Sequence, residues 1–117
     1  MRETKNIANS EHYNWGGACD GWHLVRSDGL SVIEERMPPN MEEQSHHHVL
    51  ARQFFYVLEG ELTMQFDDDT AVISSFHGLE IAPLVTHQAR NATNAPVRFL
   101  VISQPPSHGD RIPTEFV

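Results

Sequence analysis

Apolar residues in this chain fall in short runs, cut by Gly, Pro, Asn and Asp, and in no window of a dozen residues do they recur at i, i+3, i+4 and i+7. The runs instead show the two-residue period of strands. They are 22–25, 30–37, 46–49, 53–58, 61–66, 70–74, 79–82, 86–91 and 97–103. Nine strands joined by short turns predict an antiparallel all-β sandwich or barrel. Between the turns Glu59-Gly60 and Asp67-Asp68-Asp69, residues Leu62, Met64 and Phe66 alternate with polar ones and read as a half-buried hairpin arm. Two strands are apolar on both faces. In 53–58, Gln53, Phe55 and Val57 point one way and Phe54, Tyr56 and Leu58 the other; in 97–103, Val97, Phe99 and Val101 oppose Leu100 and Ile102. A small barrel has one interior, so the second apolar face needs a cover: another sheet, the wrapped termini, or a second copy of the chain. A homodimer is expected. Segments 1–20 and 104–117 carry less pattern and are expected to wrap or extend the barrel.

Length and charge narrow the function. The 117 residues suit one domain. Eight Lys and Arg against 16 Asp and Glu leave a net charge of −8, which disfavours nucleic acid and anionic membrane surfaces as partners. The single Cys19 allows no internal disulfide and suits a reducing compartment. The first residues lack a signal-peptide core and no run approaches about 18 apolar residues, so a cytoplasmic protein is expected. No GxSxG, phosphate loop or dinucleotide fingerprint occurs. Catalytic residues therefore stay unassigned, no residues are assigned to an organic cofactor, and the expected partner is a small molecule.

Three of the eight histidines and one glutamine carry the candidate chemistry. His46 and His48 sit at i and i+2 on one predicted strand, roughly 6.6 Å apart on one face. Side chains so placed can converge on one ion with metal–nitrogen bonds of about 2.0–2.1 Å. His47 points to the opposite face. Gln53 opens the next strand across the short hairpin 49–52, where its side-chain oxygen can reach the same point, and His87 follows the turn that contains Pro83. An HxH pair alone in an all-β chain is more often a surface pair than a metal site; the framework around it changes the odds.

That framework resembles the cupin superfamily. Its first motif runs from a Gly- or Pro-rich turn through HxH, three or four residues, Glu, six residues and Gly. Here MPPNMEEQSHHHVLARQFFYVLEGE supplies His46, His48, Gln53 in the Glu position, and Gly60. The second motif, a Gly, a Pro-containing turn, a His and an Asn four residues on, is matched by GLEIAPLVTHQARN with Gly78, Pro83, His87 and Asn91. The stretch between, 61–77, has the length found in single-domain cupins, and the resemblance covers about 30–111. It is similar also to small bacterial cupins of unassigned reaction, through Trp15-Gly16-Gly17, Asp20-Gly21-Trp22 and the ending FLVISQPPSHGDRI. The resemblance implies a single cupin domain over 1–117, a double-stranded β-helix (jelly-roll) barrel with its core at about 30–103. It also implies one divalent metal, Fe, Mn, Co, Ni or Zn, held by His46, His48, Gln53 and His87.

Two departures from the pattern matter. Leu84 stands where Gly is usual, which stiffens or reshapes the turn. Gln53 replaces Glu. Three neutral His with Glu leave a divalent site at net +1, whereas with Gln it is +2, which lowers affinity for hard cations and raises attraction for anions. The alternatives are a three-His site, or an empty one. With metal bound, the site would take a small oxygen-bearing metabolite against the apolar wall of Phe55, Val57, Met64 and Phe99, as an oxygenase or as an isomerase working through an enediolate. The rival reading is a non-catalytic metabolite-binding barrel, and a metal-free structural dimer is a third. Asn91 is expected either to support His87 or to end a turn. Glu42 and Glu43 are expected in a solvated loop, Cys19 in a structural role, and Asp110 paired with Arg111.

Overall fold

A computed structural model describes residues 2–117. Eleven strands form: β1 Glu11–Trp15, β2 Cys19–Arg26, β3 Ser31–Met37, β4 His46–His48, β5 Arg52–Glu59, β6 Glu61–Gln65, β7 Thr70–Ser74, β8 Gly78–Ile81, β9 Gln88–Arg90, β10 Val97–Gln104 and β11 Arg111–Pro113. Each of the nine expected strands is present, although β9 is shorter than 86–91, with His87 joined by an isolated bridge. β1 and β11 are additions from the weakly patterned ends. No helix among the described residues is long and apolar enough to cross a membrane.

One layer is a six-stranded antiparallel sheet in the order β1-β2-β3-β10-β5-β8. Facing it are the three-stranded sheet β7-β6-β9 and the pair β11-β4, which the bridges His46–His87 and Glu42–Arg90 join into a second layer. Between the layers lie Met37, Phe55, Val57, Leu62, Met64, Ile73, Val97 and Phe99, all buried. The parity expected for β5 holds: Gln53, Phe55 and Val57 are buried, while Phe54, Tyr56 and Leu58 lie on the outer face. On that outer face Phe54, Ile102 and Val32 stand directly across from one another, beside Tyr56 and Leu100.

The register sets the inner face out in rows, because residues opposite each other in an antiparallel pair share a face. The first row is Ile81, Gln53, Ser103 and Ser31. The second is Leu79, Phe55, Val101, Ile33 and His23; the third is Val57, Phe99, Glu35, Gly21 and Tyr13. At the turn into β6, Gly60 has φ 89°, and a Cβ there would lie 2.7 Å from the Pro96 carbonyl oxygen, so the chain crossing requires glycine.

Candidate metal centre

His46 and His48 are both buried on the inner face of β4, at 4% and 5% exposure, and His87 is 1% exposed. His87 meets β4 through reciprocal backbone bonds with His46, at 2.9 and 3.0 Å. The ring centroids are 4.5 Å apart for His46–His87, 5.0 Å for His46–His48 and 6.0 Å for His48–His87. Among the described residues this is one group of metal-ligating side chains whose donor atoms all lie within 4.8 Å of one another. Three nitrogens on one ion, with bonds of about 2.1 Å at octahedral or tetrahedral angles, lie about 3.0–3.4 Å apart, so the donors, already within 4.8 Å of one another, have at most about 1.8 Å to close.

Two of the three rings are oriented by backbone. His46 Nδ1 donates to the Gln44 carbonyl at 2.9 Å, and His87 Nδ1 donates to the Val85 carbonyl at 2.9 Å. Each bond places the proton on Nδ1 and leaves Nε2 with its lone pair free. Burial pushes the His46 pKa down to about 3 and that of His87 down to about 4, and lowers that of His48. All three imidazoles are neutral at pH 7 and ready to ligate. Leu84 has φ 72°, a left-handed conformation that costs a non-glycine residue about 1 kcal/mol, and its N–H donates to the His48 carbonyl at 2.7 Å. The turn carrying His87 is thus strapped to β4.

Polar atoms left without partners test whether a metal fits. Among the described residues five buried side-chain polar atoms have no hydrogen-bond partner, and three of them are His48 Nδ1, Gln53 Oε1 and His87 Nε2. Buried polar groups are otherwise nearly always paired, so the free atoms on His48 and His87 fit a triad that could hold a metal ion. Gln53 is 5% exposed on the same inner face, its Nε2 donating to Ser103 Oγ at 3.1 Å, which turns Oε1 away as a free acceptor. His47 lies on the other face and bonds Thr114 Oγ1 at 2.6 Å, as a bystander should.

Two expectations are corrected, those for Glu43 and for the Asp110–Arg111 pair. Glu43 is not freely solvated: its side chain is 10% exposed, its Oε2 accepts the Ala89 N–H at 2.9 Å and stands 3.9 Å from His46 Nδ1. Burial pushes its carboxyl up to about 7, against the opposing pull of the Ala89 N–H and Arg111. Asp110 and Arg111 do not pair with each other. Asp110 accepts the Leu50 and Ala51 N–H groups, both at 2.9 Å, while Arg111 lies 4.0 Å from Glu43. Asn91 ends a turn, its Nδ2 donating to the Met37, Pro38 and Ala95 carbonyls. Cys19 is free and buried in the core. Sequence reasoning missed Glu35, which faces inward from the third row; its parity with Ile33 and Met37 was the available signal.

Two clefts open at the surface. One of about 720 Å³ includes His23, Ser31, His108 and Asp110; another, of about 420 Å³, includes Trp15, Glu43 and Arg111. Neither is lined by the triad, which is buried.

Residues 33–103 match the family described as Cupin domain. The chain is similar to an uncharacterized protein, MJ1618, of Methanocaldococcus jannaschii, at 30% identity over 81 residues, which are 68% of this chain and 65% of that protein's length. Its fold is that of an uncharacterized conserved protein with a double-stranded β-helix domain from Klebsiella pneumoniae, at TM-score 0.80 and 16% identity, covering 98% of this chain and 99% of the other. The polyketide cyclase RemF of Streptomyces resistomycificus gives a TM-score of 0.80 at 18% identity, covering 100% and 88%.

Proposed function

The chain belongs to the cupin domain family, and on that premise we propose that it is a metal-dependent protein that holds one divalent transition-metal ion and presents it to a small oxygen-bearing metabolite. His46, His48 and His87 hold the ion, with Gln53 Oε1 as a fourth, neutral donor. The single observation that carries this reading is the set of unpartnered, buried atoms on His48, Gln53 and His87, set among rings already held in the ligating tautomer. A bound divalent ion supplies Lewis acidity and positions for one or two ligand oxygens. The protein's own part is orientation and dryness. Two backbone carbonyls fix the rings, Phe55 packs edge-on to His87 at 6.2 Å, and Phe99 closes the wall behind it at 6.1 Å. With four neutral donors the site keeps the full +2 of the ion, which favours ligands that bring negative oxygen, such as carboxylates and enolisable carbonyl compounds.

Metal analysis of the purified chain tests the reading. The unmodified protein and His47→Ala should each carry about one ion per chain, and His46→Ala and His87→Ala should carry none while remaining folded. Equal metal in all four variants would refute the site.

A further inference from the structure

The larger cleft, of about 720 Å³, is shaped by an irregularity in β2. Cys19, Gly21 and His23 are the buried, inward residues of that strand. Beyond them Leu24 is an extra residue, because His23 stands across from Ile33 while Val25 already stands across from Val32. One extra residue reverses which side chains face inward. Arg26, which strict alternation would send outward with Trp22 and Leu24, therefore stands across from Ser31. The first inner row, which runs through Gln53, Ser103 and Ser31, ends on Arg26, and the second ends on His23. Both end residues line the cleft. The opposite wall is the segment between β10 and β11, with Pro105, Pro106, His108 and Asp110, and Leu50 from the hairpin after β4. Asp110 is the wall shared with the metal centre, since it also faces His48.

The lining offers neutral hydrogen-bonding groups and flat apolar ones. His23 is 8% exposed, and its Nδ1 is buried with no hydrogen-bond partner. Its ring is held between Tyr13, at 4.9 Å, and His108, which meets it edge-on at 5.3 Å. Burial, then the Arg26 charge, lower the His23 pKa, so the ring is neutral at pH 7, with one nitrogen to donate and one to accept. The charges do not suit an anion. One guanidinium, Arg26, already donates to Glu11 at 2.6 Å, and it stands against two carboxylates, Asp28 and Asp110. Asp110 in turn accepts the Leu50 and Ala51 N–H groups. A hydroxyl both donates and accepts, so it matches a neutral imidazole and a carboxylate equally well. The apolar part of the wall, Leu50, Pro105 and Pro106, suits C–H groups.

We infer that this cleft binds a neutral sugar or cyclic polyol, with one hydroxyl at His23 Nδ1 and its C–H face against Pro105 and Pro106. The cleft has the size of a small-molecule pocket, which runs to roughly 300–1,000 Å³. A hydroxyl at Nδ1 gives that buried atom the partner it lacks, and His108 bounds the seat beside it. The inference goes beyond the metal reading and does not depend on it, because none of these groups is a candidate metal ligand.

The test titrates methyl glucoside, methyl galactoside, methyl mannoside and myo-inositol in turn into the full chain, with the histidine ring signals followed by proton–nitrogen NMR. At least one of the four should shift the His23 and His108 signals saturably, and bind more tightly than inorganic phosphate or cyclohexanol. His23→Phe keeps a ring of similar size without its nitrogens, and should weaken binding about tenfold, the loss expected for one buried hydrogen bond. His108→Ala changes an exposed position, so the fold stays intact, and it should weaken binding as well. His46→Ala should leave binding unchanged. Absence of binding by all four compounds, or full binding in both cleft variants, would overturn the inference. Tighter binding of phosphate would make the cleft an anion site and tighter binding of cyclohexanol a merely apolar one, and either result also overturns it, as does binding lost in His46→Ala. Failure of the metal reading shows separately, as zinc content that His46→Ala leaves unchanged.

Discussion

Gln53→Glu exchanges one amide nitrogen for an oxygen in a side chain that is 5% exposed, and its effects have opposite signs without and with metal. In the metal-free chain the Ser103 hydroxyl turns to donate across the present 3.1 Å contact, but the other oxygen gains no donor and the added charge is enclosed. A buried polar group without its partner costs about 1–3 kcal/mol. At about 4 °C per kcal/mol for a domain of this size, the metal-free variant should melt about 4–12 °C below the unmodified chain. With metal the new charge meets the ion and the site falls from +2 to +1. Free zinc at about 100 times Kd stabilises the unmodified chain by about 2.7 kcal/mol, and a variant binding tenfold tighter gains about 4.1 kcal/mol at the same zinc. The metal-induced rise in Tm should therefore be about 11 °C in the unmodified chain and about 16 °C in the variant. Melting curves with and without zinc, and with manganese, measure both numbers. Titration with a small dicarboxylate should show weaker anion binding in the variant. Equal metal-induced rises would mean that Gln53 is not a ligand and that the site has three histidines only.

Two further outcomes follow from burial. The metal-free chain should be most stable between about pH 4.5 and 6.5, where the contributions of the buried histidines and carboxyls oppose each other. Below that window the unfolded chain has already protonated its histidines, near 6.5, while folded His46 and His87 resist down to about 3 and about 4, so stability falls with falling pH. Above it, folded Glu43 and Glu35 hold protons up to about 7 and about 8 that unfolded carboxyls have lost, so stability falls with rising pH, and Glu35→Gln should flatten that alkaline limb. Urea midpoints across pH 4–9 measure both limbs; a flat profile would contradict the burial of these groups. The outer row of Phe54, Ile102, Val32, Tyr56 and Leu100 is proposed to be covered by a second copy. Sedimentation at micromolar concentration should then show a species of twice 13.3 kDa, and a monomer alone would exclude it.

The barrel was legible because its strands alternate. Parity placed Gln53, Phe55 and Val57 inward and assigned His46 and His48 to one face, His47 to the other. β1 was not legible: only Tyr13 and Trp15 of its five residues are even half-buried, so it has no apolar face to read. β11 is exposed at all three positions and forms through its pairing with β4. His87 was found by motif alone, since an isolated bridge leaves no periodic trace. Glu43 looked like loop because its neighbours are polar; what buries it is the Ala89 N–H, 46 residues away. Glu35 sat in a run whose parity was read for apolar residues only.

The carbonyls of Gln44 and Val85, which aim two of the three imidazoles, have a further consequence for how such a site persists. A carbonyl is present whatever side chain is attached, and positions 44 and 85 are both exposed. The aim of the rings is therefore inherited from the path of the main chain and not from the identity of any neighbour. Substitutions can accumulate at these two positions without turning the rings, so descendants can drift around the centre and retool its rim while passing on the same set of lone pairs.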